Sequence, residues 1–215
     1  MADMGRRLPV YLLLDCSGSM AGEPIEAIRQ GVRALLSDLR GDPQALETAY
    51  LSVITFSSSA QQVVPLTELL SFQEPPLAAG GSTALGEALK VLEKCLDTEV
   101  RKSTPTQKGD WKPLIFLMTD GQPTDNWETQ ANILKQKRVG NIIACAAGPG
   151  ADTNVLKKVT EIVVQITNLN PDDLKAFFKW VSSSVKSTSQ SVGQAPAENT
   201  PVALPPPPPQ ITIVP

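Results

Sequence analysis

The chain predicts an α/β fold: a doubly wound, mostly parallel six-stranded sheet with one antiparallel edge strand. Three observations carry that expectation. Two apolar runs, residues 8–15 and 114–120, end on Asp15 and Asp120, as buried central strands do when they open into a polar crevice. Stretches with apolar residues at helical spacing alternate with the β-rich segments, the order of a parallel sheet covered on both faces. One pair of β-rich segments is joined only by Ser57-Ser58-Ser59-Ala60, a connection short enough for an antiparallel hairpin.

Taken in order, residues 8–15 form the first strand, fully apolar in its second half before Asp15. Residues 24–39 place Ile25, Ile28, Val32, Leu35, Leu36 and Leu39 on one helical face, with Pro24 in the first turn and Gly41 past the end. Residues 50–56 and 61–66 are the hairpin strands. Residues 68–81, with Pro75, Pro76 and two glycines, form a loop that returns the chain to the crevice at Thr83, and Leu85, Ala88, Leu89, Leu92 and Leu96 follow as a helical stripe. Residues 101–113 are polar around Trp111 and read as an exposed loop that tolerates change. After the strand 114–120, Thr124 or Asp125 can cap a helix reaching Lys137. Residues 142–147 are a strand, Asp152 or Thr153 caps a short helix, and 162–166 is the last strand. Asn170-Pro171 then opens a helix carrying Leu174, Phe177, Phe178, Val181 and Val185.

Beyond this domain of residues 1–185 the composition shifts to Ser, Thr, Gln, Ala and Pro. Residues 186–215 read as a tail, extended by Pro205 to Pro209, with a β-prone end at Ile211 to Val214.

Composition narrows the function. The net charge is −3, from 19 basic and 22 acidic residues, with no basic stripe of the kind nucleic acid requires. No apolar run reaches membrane-spanning length, and Arg6 and Arg7 precede a strand rather than a signal-peptide core, so the expected setting is cytoplasmic and membrane-free. The three cysteines are odd in number and scattered, unlike a disulfide framework. No histidine occurs, which removes the usual general base, the Ser/His/Asp and Cys/His systems, and most zinc sites. Gly148-Pro149-Gly150 is not a dinucleotide loop, because position 153 is threonine where a third glycine is needed.

The chemistry concentrates where the strands end. Asp15-Cys16-Ser17-Gly18-Ser19 puts a carboxylate and two hydroxyls in one turn, with Gly18 letting the backbone curl. Gly80-Gly81-Ser82-Thr83-Ala84-Leu85-Gly86 sets a threonine at the mouth of a helix, and Thr119-Asp120-Gly121 closes the second apolar strand. Each piece alone is an ordinary turn. Three pieces at the crevice end of one sheet point to a common oxygen-only cation site, suited to magnesium, manganese or calcium.

Together these segments resemble the metal-ion-dependent adhesion site of von Willebrand factor A domains, over roughly the first 185 residues. The resemblance implies Asp15, Ser17, Ser19, Thr83 and Asp120 as ligands of Mg2+ (or Mn2+ or Ca2+), a Rossmann-like fold, and a protein partner whose Glu or Asp completes the coordination. Within that superfamily, Thr119-Asp120-Gly121-Gln122-Pro123-Thr124-Asp125 and the Gly-Gly-Ser-Thr-Ala-Leu-Gly run are most similar to bacterial TerY-type proteins. Those imply an adaptor working with a protein kinase and a protein phosphatase in tellurium resistance or stress signalling; a subunit of an AAA-type ATPase complex is the alternative. An enzyme is not expected. Haloacid-dehalogenase-like magnesium phosphatases also start from a strand-end aspartate, but they need a second aspartate two residues on, and that position is Ser17.

Overall fold

The computed structural model describes residues 6–137, 139–194 and 203–215. β1 (Leu8–Asp15) lies inside a sheet ordered β3-β2-β1-β4-β5-β6-β7, between β2 (Ala49–Phe56) and the central β4 (Leu114–Thr119), with β3 (Ala60–Glu68), β5 (Ile142–Ala147), β6 (Ile162–Ile166) and β7 (Ile211–Ile213). The five central strands are parallel, while β3 and β7 run antiparallel at the two edges. The α/β, mostly parallel architecture is as expected, but the sheet has seven strands rather than six and an antiparallel strand at each edge rather than one.

The two-residue period of the strands divides the core into two layers. Leu8, Val10, Leu12 and Leu14 of β1 face one layer with Leu114, Phe116 and Met118 of β4, and α1 (Glu23–Arg40) and α6 (Pro171–Gln194) cover it. Tyr11 and Leu13 face the other with Ile115 and Leu117, under α3 (Leu85–Glu99), α4 (Glu128–Lys135) and α5 (Thr153–Val159). Each fully buried Leu or Phe in these layers contributes about 1.5–3 kcal/mol by leaving water. Where α1 crosses α6, a Cβ added at Gly31 would lie 2.1 Å from Phe178 Cδ2, so only glycine allows that approach.

Several boundaries differ from expectation, each for a physical reason. A short helix, α2 (Pro43–Thr48), sits between α1 and β2, capped by Asp42, whose Oδ1 accepts from Ala45 N at 2.8 Å. α4 starts at Glu128 rather than at a cap on Thr124 or Asp125, because Asp125 is used to cap α3 instead: its two oxygens accept from Gly86 N and Glu87 N, each at 2.9 Å. Of the two candidate caps Asp152 and Thr153, Asp152 is used, accepting from Asn154 N, and at the helix opened by Asn170-Pro171 the Asn170 side chain accepts from Asp173 N.

The boundary expected after Val185 falls inside α6. The serines and threonines that suggest a tail are absorbed by the helix, since Ser184 Oγ donates to Trp180 O and Thr188 Oγ1 to Ser184 O, both at 2.8 Å, and Ser189 Oγ pairs with Thr48 Oγ1. The loop read as freely exposed is also anchored: residues 101–108 are exposed, but the Asp110 carboxylate is 1% exposed and pairs with Arg7 at 2.6 Å, and the Arg6 guanidinium lies 3.4 Å from the Trp111 ring centroid. Among the described residues, no helix is long and apolar enough to cross a membrane.

Candidate metal centre

The parallel strands β1 and β4 stop side by side and deliver Asp15 and Asp120 to the same end of the sheet. Asp15 is fully buried and Asp120 is 7% exposed. After Asp15 the chain turns through a single 3₁₀ turn, Gly18–Met20, which places Ser17 inward and Ser19 at the surface.

A chain of short contacts joins the carboxylates. Ser17 N donates to Asp15 Oδ1 at 2.8 Å, the Ser17 and Ser19 hydroxyls share a hydrogen bond at 3.0 Å, and Ser19 Oγ donates to Asp120 Oδ1 at 2.8 Å. The other oxygen of Asp15 accepts from Thr119 Oγ1 at 2.6 Å. Thr83 is 6% exposed, and its Oγ1 comes so close to Gly121 that a Cβ there would sit at 3.2 Å. All five expected residues therefore gather at one end of the sheet, four of them linked in a hydrogen-bonded row and Thr83 beside it.

Backbone contacts lock the loops that carry them. Gly18 N donates to Gly81 O at 2.9 Å and Gly80 N to Cys16 O at 2.8 Å, so the first turn and the glycine-rich loop are stitched together. Gly81 has φ 81°, a conformation open to glycine and strained for other residues. Thr124 N donates to Thr83 O at 2.9 Å, and the Asp125 cap fastens the loop after β4 to the start of α3. Thr119 and Asp125 were not singled out as site residues from the sequence. Their one signal there was position, a threonine next to a strand-end aspartate and an aspartate five residues beyond it.

The electrostatics are unbalanced. Burial pushes the Asp15 carboxyl above its usual range, against hydrogen bonds from Thr119 and Ser17 that oppose the rise, and nearby Asp120 adds to it. Burial likewise raises Asp120, opposed by Ser19. Among the described residues no lysine or arginine pairs with either carboxylate. Two desolvated carboxylates, three hydroxyls and no cationic side chain form a hard, oxygen-only donor set, which fits a divalent cation. The described residues hold no cluster of three His, Cys, Asp or Glu, so a soft or imidazole-rich centre does not fit. Cys16 beside the site is buried and its thiol is pushed up to about 12, first by burial and then by Asp15, which makes it inert.

The family model of the von Willebrand factor type A domain matches residues 10–180. The chain belongs to the von Willebrand factor A family. An uncharacterized protein of Synechocystis sp. is 33% identical over 129 residues, 56% of this chain and 27% of that protein. The von Willebrand factor type A structure from Catenulispora acidiphila superposes with a TM-score of 0.65 at 18% identity, over 85% of this chain and 43% of that one. Proximal thread matrix protein 1 from the mussel byssus, solved with a zinc-occupied MIDAS motif, superposes with a TM-score of 0.61 at 21% identity, over 83% and 48%. This chain thus spans about a quarter of the Synechocystis relative and under half of either structure.

Proposed function

We propose that this von Willebrand A domain is a protein-binding module that holds one divalent cation through Asp15, Ser17, Ser19, Thr83 and Asp120 and offers it to a carboxylate of a protein partner. One observation carries the reading: two buried carboxylates are bridged by serine hydroxyls, and among the described residues no cationic side chain balances them. The mussel structure's zinc-occupied motif, on the same fold, supports a divalent ion here, and the oxygen-only donors favour magnesium, manganese or calcium.

When bound, the cation supplies a charge-dense seat for an anionic oxygen. The chain's own residues do the rest. Asp15 and Asp120 provide the negative charge, the three hydroxyls provide neutral oxygen, and exposed Ser19 marks the side a partner approaches. Thr119 and Ser17 N hold Asp15 in place, and Asp125 with the Gly80–Gly81 contacts keeps Thr83 beside Asp120. Ser17 occupies the position a phosphatase would give to its acid/base aspartate, which favours binding over catalysis. We accordingly read the module as a binder rather than an enzyme. The resemblance of residues 119–125 and 80–86 to TerY-type proteins suggests a finer reading, a cytoplasmic adaptor joined to a protein kinase and a protein phosphatase in tellurium resistance or stress signalling.

Calorimetry of the chelator-stripped chain with magnesium and manganese tests the reading. Saturable one-to-one binding in the wild type, lost in a Ser17→Ala/Ser19→Ala double variant, is expected; undiminished binding in the double variant rules out these ligands. For the adaptor role, partners captured by the wild type are expected to be released by chelator and absent from Asp15→Ala. Equal capture in all three samples places recognition elsewhere.

A further inference from the structure

Residues 203–210, ahead of β7, lie against the domain in a way that the cation site does not require. Trp180 of α6 is 5% exposed, and its indole Nε1 donates to the carbonyl of Pro205 at 2.9 Å. Leu204 and Ile211 pack into the same apolar layer as Phe177 and Trp180, whose ring centroids lie 6.4 Å apart. After the proline run the chain turns, with Ile211 N donating to Pro208 O at 2.9 Å, and β7 pairs with β6 through Ile211, Thr212 and Ile213.

The burial of the run has a period of three. Ala203, Pro206 and Pro209 are exposed, while Leu204, Pro205, Pro207 and Pro208 are half-buried. A polyproline II helix has three residues per turn and no internal hydrogen bonds, so its carbonyls are free for an outside donor. Here one edge of the three-sided rod faces solvent and the other two face the domain. The two buried edges carry successive pairs, Leu204-Pro205 and Pro207-Pro208, and an indole N–H reads a carbonyl between them. Aromatic-lined grooves that recognise proline-rich peptides rely on the same features: a preformed extended rod, apolar slots for paired residues, and a donor to its backbone.

We propose that the face of α6 around Trp180 is a binding groove for a proline-rich peptide in the polyproline II conformation, filled in cis by residues 204–208. β7 latches the strap by completing the edge of β6. Tethering gives the chain's own segment a high effective concentration, so a proline-rich peptide in trans enters only when the latch is weakened. The inference is independent of the cation site, which lies where β1 and β4 end.

The probe is a fluorescein-labelled peptide with the sequence of residues 203–215, followed by anisotropy against the full-length chain. Wild type should leave the peptide free at concentrations where Ile211→Asp, which places a charge at the buried start of β7, takes it up. Adding Trp180→Phe to Ile211→Asp should weaken uptake about fivefold, the worth of one neutral hydrogen bond, or more. Leu204→Asp replaces Ile211→Asp if circular dichroism shows that the latter does not fold. The proposal is overturned by any of four results: wild type binding as well as the released variant, no uptake by a folded released variant, uptake unchanged by Trp180→Phe, or loss of fold in both releasing variants, which would make the strap a fixed part of the core.

Discussion

Buried carboxylates stand at two places in this domain and are treated in opposite ways. Asp110 meets a guanidinium: Arg7 Nε and a terminal nitrogen reach its two oxygens at 2.9 and 2.6 Å, and Arg101 N adds a third bond at 2.8 Å. The pairing raises the Arg7 pKa, mainly through the hydrogen bond to Asp110. Among the described residues, Asp15 and Asp120 meet only hydroxyls and amides. A paired charge is complete and tethers the segment between α3 and β4 to the start of β1. An unpaired one costs stability, and under the proposed function it is the cation that offsets this cost.

The contrast is sharpest in the loss of each partner. Asp110→Ala strands Arg7, 11% exposed in its side chain, and is expected to cost about 3 kcal/mol in chemical denaturation, equally with and without magnesium. A smaller cost, or one that magnesium relieves, would erase the distinction between the two sites. Next in size is the effect of the ion. At 100 times its Kd a cation bound only by the folded state adds about 2.7 kcal/mol. For a chain of this length that is a rise of roughly 5–10 °C in Tm, reversed by chelator and absent from Asp120→Ala. Asp125→Ala removes the cap of α3 and one clamp on the site, so a loss of about 1 kcal/mol is expected together with weaker cation binding by calorimetry. A change in stability alone would limit Asp125 to the helix.

Asp15→Asn gives the smallest effect and the clearest sign. A carboxyl whose folded pKa lies above its unfolded value favours folding below the unfolded pKa, and that contribution is lost as pH rises through the folded pKa. Once ionised, a metal-free Asp15 therefore works against the fold. Replacing it with the neutral amide should leave metal-free stability within about 1 kcal/mol of wild type, while cation binding disappears. A large loss would show that Asp15 is a structural residue of the same kind as Asp110.

Much of this arrangement was legible in the residues, for local reasons. β1 and β4 announce themselves as apolar runs stopped by aspartates, and Asp15, Ser17, Ser19, Thr83 and Asp120 each sit at a strand end or helix mouth, so their convergence follows from the parallel order of the strands. What escaped was non-local. The Arg7–Asp110 pair spans 103 residues and converts a polar stretch read as tolerant into an anchored one. Asp125 serves a helix 38 residues upstream rather than the one that follows it. The β character of Ile211 to Val214 was readable, but its pairing with β6 was not, since nothing in a three-residue strand specifies which edge it joins.

The two edges of the sheet are guarded in different ways. β3 carries Pro65, which has no N–H to offer a neighbouring strand. β6, by contrast, reads Ile-Val-Val-Gln-Ile, an apolar and uncharged segment of the type that stacks edge to edge between molecules. Among the described residues, the three residues of β7 and the Val214 amide, which donates to Val163 O at 2.9 Å, cover it. Holding them in place is therefore also a matter of colloidal solubility: a population of chains with the strap lifted would present matching sticky edges, and its tendency to precipitate would grow with concentration.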